Sequence, residues 1–249
     1  MTNFIIFTTQ RSGSTVLTRT LDGHPEIFCA GELFHESTDI YHPEWHFPVW
    51  ALSQKSKMLR KFDKILNYPN LRFRAIPHIK KFFNSAGSNE KVRGFKLMIS
   101  HMRSMPYMWD FLKKNNTKVI VLIRKNVFNT GLSRLRKDET RVPHAAGAVT
   151  VTEKFRVAPN KLLKHMQYLE KVNQELLDYT RDMPRIVLYY EDFGNWDEMM
   201  NQVFSFLEVG PQTLPPVLKK IGGTSWRDDV TNYEEIEKLL KENNYNQYL

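Results

Sequence analysis

Val119-Ile120-Val121-Leu122, extended by Ile123, puts five aliphatic residues in a row. A strand with one wet face alternates apolar and polar residues, so this run predicts a strand buried on both faces. Such strands belong to parallel sheets covered by helices on either side. Phe4-Ile5-Ile6-Phe7 is a shorter run of the same character. Further strands are predicted over 27–30, 92–99 and 185–190. Helical spacing appears over 14–21, 107–114, 126–135, 160–181, 196–207 and 232–243. The longest of these carries Leu162, Met166, Leu169, Val172 and Leu176 on one stripe. Pro106 suits the first turn of the helix over 107–114, while Gly23 and Pro25 stop the first helix. Another helix is predicted over 53–66, with Met58, Leu59, Phe62, Ile65 and Leu66 inward and a basic outer face. Residues 41–50 read as an aromatic, histidine-rich loop, and 137–158 as a lid or substrate loop. Strands alternating with helices predict an α/β protein with a central, mostly parallel sheet and helices on both faces.

A length of 249 residues suits one large α/β domain or two small ones. With no internal repeat and no low-complexity linker, a single domain over 1–249 is expected. Lys and Arg exceed Asp and Glu by 36 to 27, a formal charge of +9. That surplus suits nucleic acid, an anionic membrane or a phosphorylated small molecule, and does not choose among them. No tract of five Lys or Arg occurs, which argues against a basic arm. The single cysteine, Cys29, excludes an internal disulfide and fits a reducing compartment. The apolar run at residue 4 is too short for a signal or membrane segment, and no 18-residue apolar run follows. A cytoplasmic protein without membrane attachment is expected.

The loop after the first strand reads Thr9-Gln10-Arg11-Ser12-Gly13-Ser14-Thr15 and runs into a helix. Backbone N–H groups at a helix start lack partners, and the helix dipole favours an anion there. Gly13 allows close approach, Ser12, Ser14 and Thr15 add hydroxyls, and Arg11 adds a fixed positive charge. An ordinary capped helix is the plain alternative. The spacing is neither G-x-x-x-x-G-K-[ST] nor G-x-G-x-x-G, so neither a nucleoside-triphosphate nor a dinucleotide loop is indicated. Arg124 follows the strand ending at Ile123, and Ser133 lies nine positions later on a predicted helix. An Arg at a strand's carboxyl end faces the crevice where open α/β sheets bind ligands.

Arg11-Ser12-Gly13-Ser14-Thr15 resembles the 5′-phosphosulfate loop of sulfotransferases that use 3′-phosphoadenosine 5′-phosphosulfate (PAPS), a P-loop-like element. Arg124 and Ser133 resemble the pair that holds the 3′-phosphate in that family. Their spacing is similar to the bacterial branch that includes trehalose and nodulation-factor sulfotransferases. Gly31-Glu32-Leu33-Phe34, Gly94-Phe95-Lys96-Leu97-Met98, Tyr190-Glu191-Asp192-Phe193 and Asn232-Tyr233-Glu234-Glu235 resemble further segments of that branch. The resemblance implies PAPS as donor, 3′-phosphoadenosine 5′-phosphate (PAP) as product, no metal, and in-line transfer to an acceptor hydroxyl. It places a glutamate base at Glu32, with His35 and His101 as rivals because histidine titrates near neutrality. Arg11 is expected to stabilise the leaving group. The basic segment with Lys219, Lys220, Gly222, Gly223 and Arg227 is either a loop over the nucleotide or a solvated loop. Trp226 is either an adenine platform or buried packing, the commoner role of a Trp. Tyr41, His42, Trp45, His46 and Trp50 offer an acceptor wall, against the plainer reading of a loop anchored by aromatics.

The acceptor stays open between a carbohydrate, a small alcohol or phenol, and an amine, with the bacterial resemblance leaning to a sugar hydroxyl. A homodimer is one option, as some relatives are dimers. Two rivals remain. One is a nucleic-acid-binding protein, favoured by charge but lacking any helix-turn-helix, RNP, KH or zinc-finger signature. The other is a nucleotide phosphotransferase on a similar sheet. The absence of H-E-x-x-H and of paired cysteines gives no metal-site motif.

Overall fold

The computed structural model describes residues 1–35, 41–47, 74–85, 87, 89–140, 154–217 and 226–249, with the side chains of 137–140 excepted. The helix predicted over 53–66, together with Trp50, Lys219, Lys220, Gly222 and Gly223, lies outside the described residues. So does most of the segment 137–158.

Five strands form one sheet: β1 (Thr2–Thr8), β2 (Ile27–Glu32), β3 (Val92–Met98), β4 (Lys118–Ile123) and β5 (Arg185–Tyr189). Their order is β2-β3-β1-β4-β5, and every pairing is parallel. The chain leaves β1 toward β2 and leaves β4 toward β5. The strand order therefore reverses between β1 and β4, where open α/β sheets open a crevice at their carboxyl ends.

Contacts divide the chain into two compact units. The first contains Met1–Ile123 and Leu176–Val217, and holds the whole sheet. On one face, Phe4, Ile6, Ile120, Leu122 and Leu188 pack against α1 (Ser14–Asp22) and α7 (Trp196–Leu207). Leu17 and Leu21 of α1 and Val203, Phe204 and Leu207 of α7 complete that layer. On the other face Phe95 meets Phe82 and Phe83 of α2 (Ala75–Asn84) at ring centroids of 5.7 and 5.9 Å. Phe7 meets Trp109 of α4 (Tyr107–Lys114) at 5.0 Å. Helices thus cover both faces of a parallel sheet, as the aliphatic runs require. Phe4, Ile5, Ile6 and Phe7 are all fully buried. Each such side chain contributes about 1.5–3 kcal/mol, whereas an exposed ion pair contributes about 0–1 kcal/mol. The frame of the site is therefore set by apolar burial. Gly94 belongs to that frame, because a Cβ there would lie 2.3 Å from the Phe4 ring.

The second unit contains Arg124–Glu175 and Leu218–Leu249. It includes α5 (Val127–Thr140), α8 (Trp226–Asp229), α9 (Tyr233–Glu242) and all but the last turn of α6 (Pro159–Tyr179). Phe128, Leu132, Leu162, Met166, Ile236 and Leu240 form its core. Asn232 ties the C-terminal segment down like a strand partner. Its Oδ1 accepts from Val157 N at 3.0 Å and its Nδ2 donates to Val157 O at 2.9 Å.

Several boundaries differ from the sequence expectation. The strand predicted over 92–99 ends at Met98, because α3 (Ile99–Ser104) starts at once. α2 was not expected, since Pro77, His78, Lys80 and Lys81 obscure its apolar stripe of Ala75, Ile79, Phe82 and Phe83. α5 extends to Thr140, into the segment read as a lid.

Candidate functional site

The loop after β1 leaves the sheet at the crevice between β1 and β4. Thr8 Oγ1 lies 2.7 Å from both Leu122 O and Ser12 Oγ. A carbonyl only accepts, so the Thr8 proton goes to Leu122 and Ser12 donates to Thr8. Ser12 is fully buried, and this bond braces the loop against β4. Ser12 thus serves the loop's shape, while Ser14 is buried and Thr15 half-buried at the helix start.

Arg11 and Gly13 both adopt positive φ, 64° and 85°. Gly13 stands at the N-cap of α1, and no side chain caps the helix among the described residues. The first turn contains no acidic residue. Its amides therefore face outward with the positive end of the dipole, and Arg11 belongs to the same turn. Gly13 is required for a second reason. A Cβ there would lie 2.5 Å from the Tyr190 ring and 3.1 Å from Phe193. Both aromatics come from the 3-10 turn Tyr190–Asn195 after β5, so the Tyr-Glu-Asp-Phe segment packs on the anion loop.

Glu32 ends β2, and its Cα pairs with Lys96 of β3, which pairs in turn with Ile6 of β1. Glu32 Oε1 meets Lys96 Nζ at 2.9 Å, and Glu32 Oε2 lies 3.9 Å from His101 Nε2 on α3. All three side chains are mostly buried, with Lys96 only 9% exposed. Burial pushes the Glu32 carboxyl up, but Lys96, His101 and His35 outweigh it and leave it below its ordinary value. Burial drives His101 down to about 4 despite the opposing pull of Glu32, so the ring is neutral at pH 7. Among the described residues, its buried Nδ1 has no hydrogen-bond partner.

His35 follows Phe34, and its main-chain oxygen accepts from His46 Nε2. Residues 41–47 pack as an anchored loop. Trp45 lies 5.3 Å from Phe82, and His46 is fully buried. His42 Nε2 and Tyr41 OH both hold Asp22, at 2.9 and 2.6 Å. The anchoring alternative accounts for these side chains, and only Tyr41 is exposed.

In the second unit, Arg124 directly follows β4, and its carbonyl accepts from Asn173 Nδ2 at 3.1 Å. Asn126 Oδ1 accepts from Asn129 N at 2.8 Å and caps α5. Ser133 lies seven residues beyond this cap, two turns on and on the same side of the helix. Arg227 Nε sits 2.5 Å from Glu237 Oε1, and Trp226 packs edge-on to Phe128 at 5.1 Å. Packing is thus the observed role of Trp226. The arrangement of Lys220 lies outside the described residues.

Two residues that touch the candidate site are not singled out by the sequence. Lys96 was read only as part of a strand; its signal is a lysine between Phe95 and Leu97, where a buried charge demands a partner. Tyr190 was read only as part of a motif; its signal is the glycine it needs at position 13. Two surface hollows, one with Ile186 and Phe206, the other with His24 and Lys91, contain none of the site residues.

No protein-family model matches the sequence, and no curated protein matches it. Solved structures do. A sulfotransferase from Alicyclobacillus acidocaldarius superposes with a TM-score of 0.51 over 97% of this chain and 95% of that one, at 15% identity. The sulfotransferase domain from the curacin biosynthetic pathway gives 0.52 over 90% and 81%, at 17% identity. The chain has the fold of these sulfotransferases. Among the described residues, no group of three or more His, Cys, Asp or Glu side chains is placed to hold a metal ion. Among the same residues, no helix is long and apolar enough to cross a membrane.

Proposed function

We propose that this protein is a sulfotransferase that takes a sulfuryl group from PAPS and passes it to an acceptor hydroxyl. One observation carries the reading. Glu32, Lys96 and His101 meet at the same edge of the sheet from which the uncapped, arginine-bearing anion loop leaves. The 5′-phosphosulfate is assigned to Arg11 and the backbone of 12–15. Arg124 and Ser133 are assigned to the 3′-phosphate, for which the guanidinium offers a two-pronged donor. Arg227 and Lys220 are assigned to the nucleotide as well, which requires Arg227 to leave Glu237.

In the transfer, the acceptor O–H gives its proton to Glu32 Oε2. The acceptor oxygen forms the new S–O bond as the S–O bond to the 5′-phosphate breaks. The electron pair of that bond stays on the phosphate, and PAP departs. Arg11 and the loop amides stabilise the charge that builds on the leaving oxygen, and losing one such donor costs about 100- to 1,000-fold in rate. Glu32 is preferred over the histidines because it is already ionised. His101 and His35 then act as neighbours that tune the carboxylate. The acceptor is a small molecule, with a sugar hydroxyl favoured by the bacterial resemblance, and the setting is cytoplasmic. A homodimer is compatible with this chemistry, and no step requires a metal.

The test is a mass-spectrometric screen of candidate acceptors for a sulfate mass gain with PAPS, run beside Glu32→Gln. Loss of a general base costs about 100- to 10,000-fold. Glu32→Gln is expected to lose turnover in that range and to keep PAP binding. Near-normal turnover by the variant eliminates Glu32 as the base.

A further inference from the structure

We propose that Lys96 is the positioning residue of the base: it fixes which oxygen of Glu32 receives the acceptor's proton and keeps that carboxylate ionised until it does. The inference rests on the reading of Glu32 as the base.

The geometry separates the two carboxylate oxygens. Oε1 accepts from Lys96 Nζ at 2.9 Å. Oε2 has His101 Nε2 at 3.9 Å, beyond hydrogen-bond reach. Oε2 is therefore the oxygen left to meet a hydroxyl. Lys96 is itself held by the sheet. Its neighbours in the strand, Phe95 and Leu97, are fully buried, and its Cα lies beside Ile6, which is buried under α1. An ammonium on so fixed a backbone has little freedom to leave its partner.

The electrostatics point the same way. A carboxylate buried as Glu32 is takes up a proton unless a cation offsets the lost hydration. Among the described residues, the charged or titratable groups facing it are Lys96 from β3, His101 from α3 and His35 from the segment after β2. His101 is neutral near pH 7, which leaves Lys96 as the largest stabilising charge. Among the described residues, Lys96 faces Glu32, His101 and the buried thiol of Cys29 on the neighbouring strand. The same ammonium also weakens Glu32 as a base. Once Oε2 takes the proton, Lys96 is a buried cation without its counter-charge. The negative charge that builds on the leaving phosphate oxygen offsets that loss, so proton transfer is favoured only as the S–O bond to the phosphate breaks.

The test uses the full chain labelled with 13C at glutamate carboxyl carbons, the Glu32 signal being identified by its loss in Glu32→Gln. NMR titration gives the Glu32 midpoint without any acceptor. In Lys96→Met the midpoint is expected to rise by about one pH unit or more, and in Lys96→Arg to return toward the wild-type value. If Lys96→Met does not fold, Lys96→Gln carries the same measurement. When an acceptor is in hand, the acid limb of kcat/KM should move up with the midpoint in the Met variant and return in the Arg variant. A Glu32 midpoint that stays put on loss of the Lys96 charge overturns the proposal. Calorimetric binding of PAP to the wild type is measured in parallel. Its absence overturns the sulfotransferase reading, whereas the midpoint decides the Lys96 inference separately.

Discussion

Gly13→Ala probes the anion loop at its tightest point. Position 13 has φ of 85°, and a Cβ there would lie 2.5 and 2.8 Å from two atoms of the Tyr190 ring. A left-handed conformation costs a residue with a Cβ about 1–2 kcal/mol. Forcing a methyl into packed surroundings costs about 1–3 kcal/mol. The ring has little room to retreat, because it packs on Phe193 at 5.0 Å, which packs on Trp196 at 5.2 Å. The sum is about 2–5 kcal/mol. For a chain of this size each kcal/mol lowers the Tm by about 2–4 °C, so the fall should be roughly 4–20 °C. Thermal melts of Gly13→Ala, Tyr190→Ala and the double variant divide the two causes. Removing the ring relieves the clash but leaves the backbone strain, so Gly13→Ala should cost about 1–3 kcal/mol less in the Tyr190→Ala background. A loss under about 0.5 kcal/mol, as at an ordinary surface site, refutes the strained-loop reasoning. A cost that is the same with and without the ring refutes the role of Tyr190.

Arg124→Ala should weaken PAP binding by roughly 10- to 150-fold, the loss of one charged hydrogen bond. It should leave AMP, which lacks the 3′-phosphate, bound as before, and calorimetry with the two nucleotides separates the outcomes. The hydrogen bond to Asp22 raises the His42 pKa, against the pull of burial. Its stabilisation is full below the ordinary value of 6.5 and fades as pH rises through the raised folded value. His42→Asn should therefore lower the Tm more at pH 6 than at pH 9, and an equal loss at both contradicts the pairing. Burial pushes His78 down to about 4. The unfolded chain takes up that proton near 6.5, so stability should fall as pH drops from about 6.5 to about 4 and then level off. His78→Gln, which keeps a donor for Trp45 O, should reduce that fall, with His101 and His46, whose values burial also lowers, contributing to the rest. An unchanged slope refutes the assignment.

The sheet was legible where burial is two-sided. β1 and β4 are continuous apolar runs because both of their faces meet helices, and short runs rich in β-branched and aromatic residues suit a strand buried on both faces. The anion loop was legible because glycine, hydroxyls and arginine coincide at a strand-to-helix junction. α2 was not, because Pro77 and two lysines interrupt its stripe, and its helicity comes from Phe82 and Phe83 packing on Phe95. The pairing of Glu32 with Lys96 was out of reach for a different reason. The two residues are 64 positions apart in sequence, and only the β2-β3 register makes them neighbours. The same holds for Tyr190 and Gly13, which meet because β5 and β1 deliver their loops to one edge of the sheet. Ser12 reads as a ligand donor in the sequence, and its contact with Thr8, which ties the loop to β4, was not legible there.

The most direct test of the function is thermal unfolding of the wild-type protein with PAP, PAPS and ATP in turn. A ligand at a hundred times its Kd stabilises the folded state by about 2.7 kcal/mol, a Tm rise of roughly 5–11 °C at this chain length. PAP and PAPS should each give such a rise, and ATP should not. A rise with ATP and with neither adenosine 3′,5′-ligand contradicts the sulfotransferase assignment.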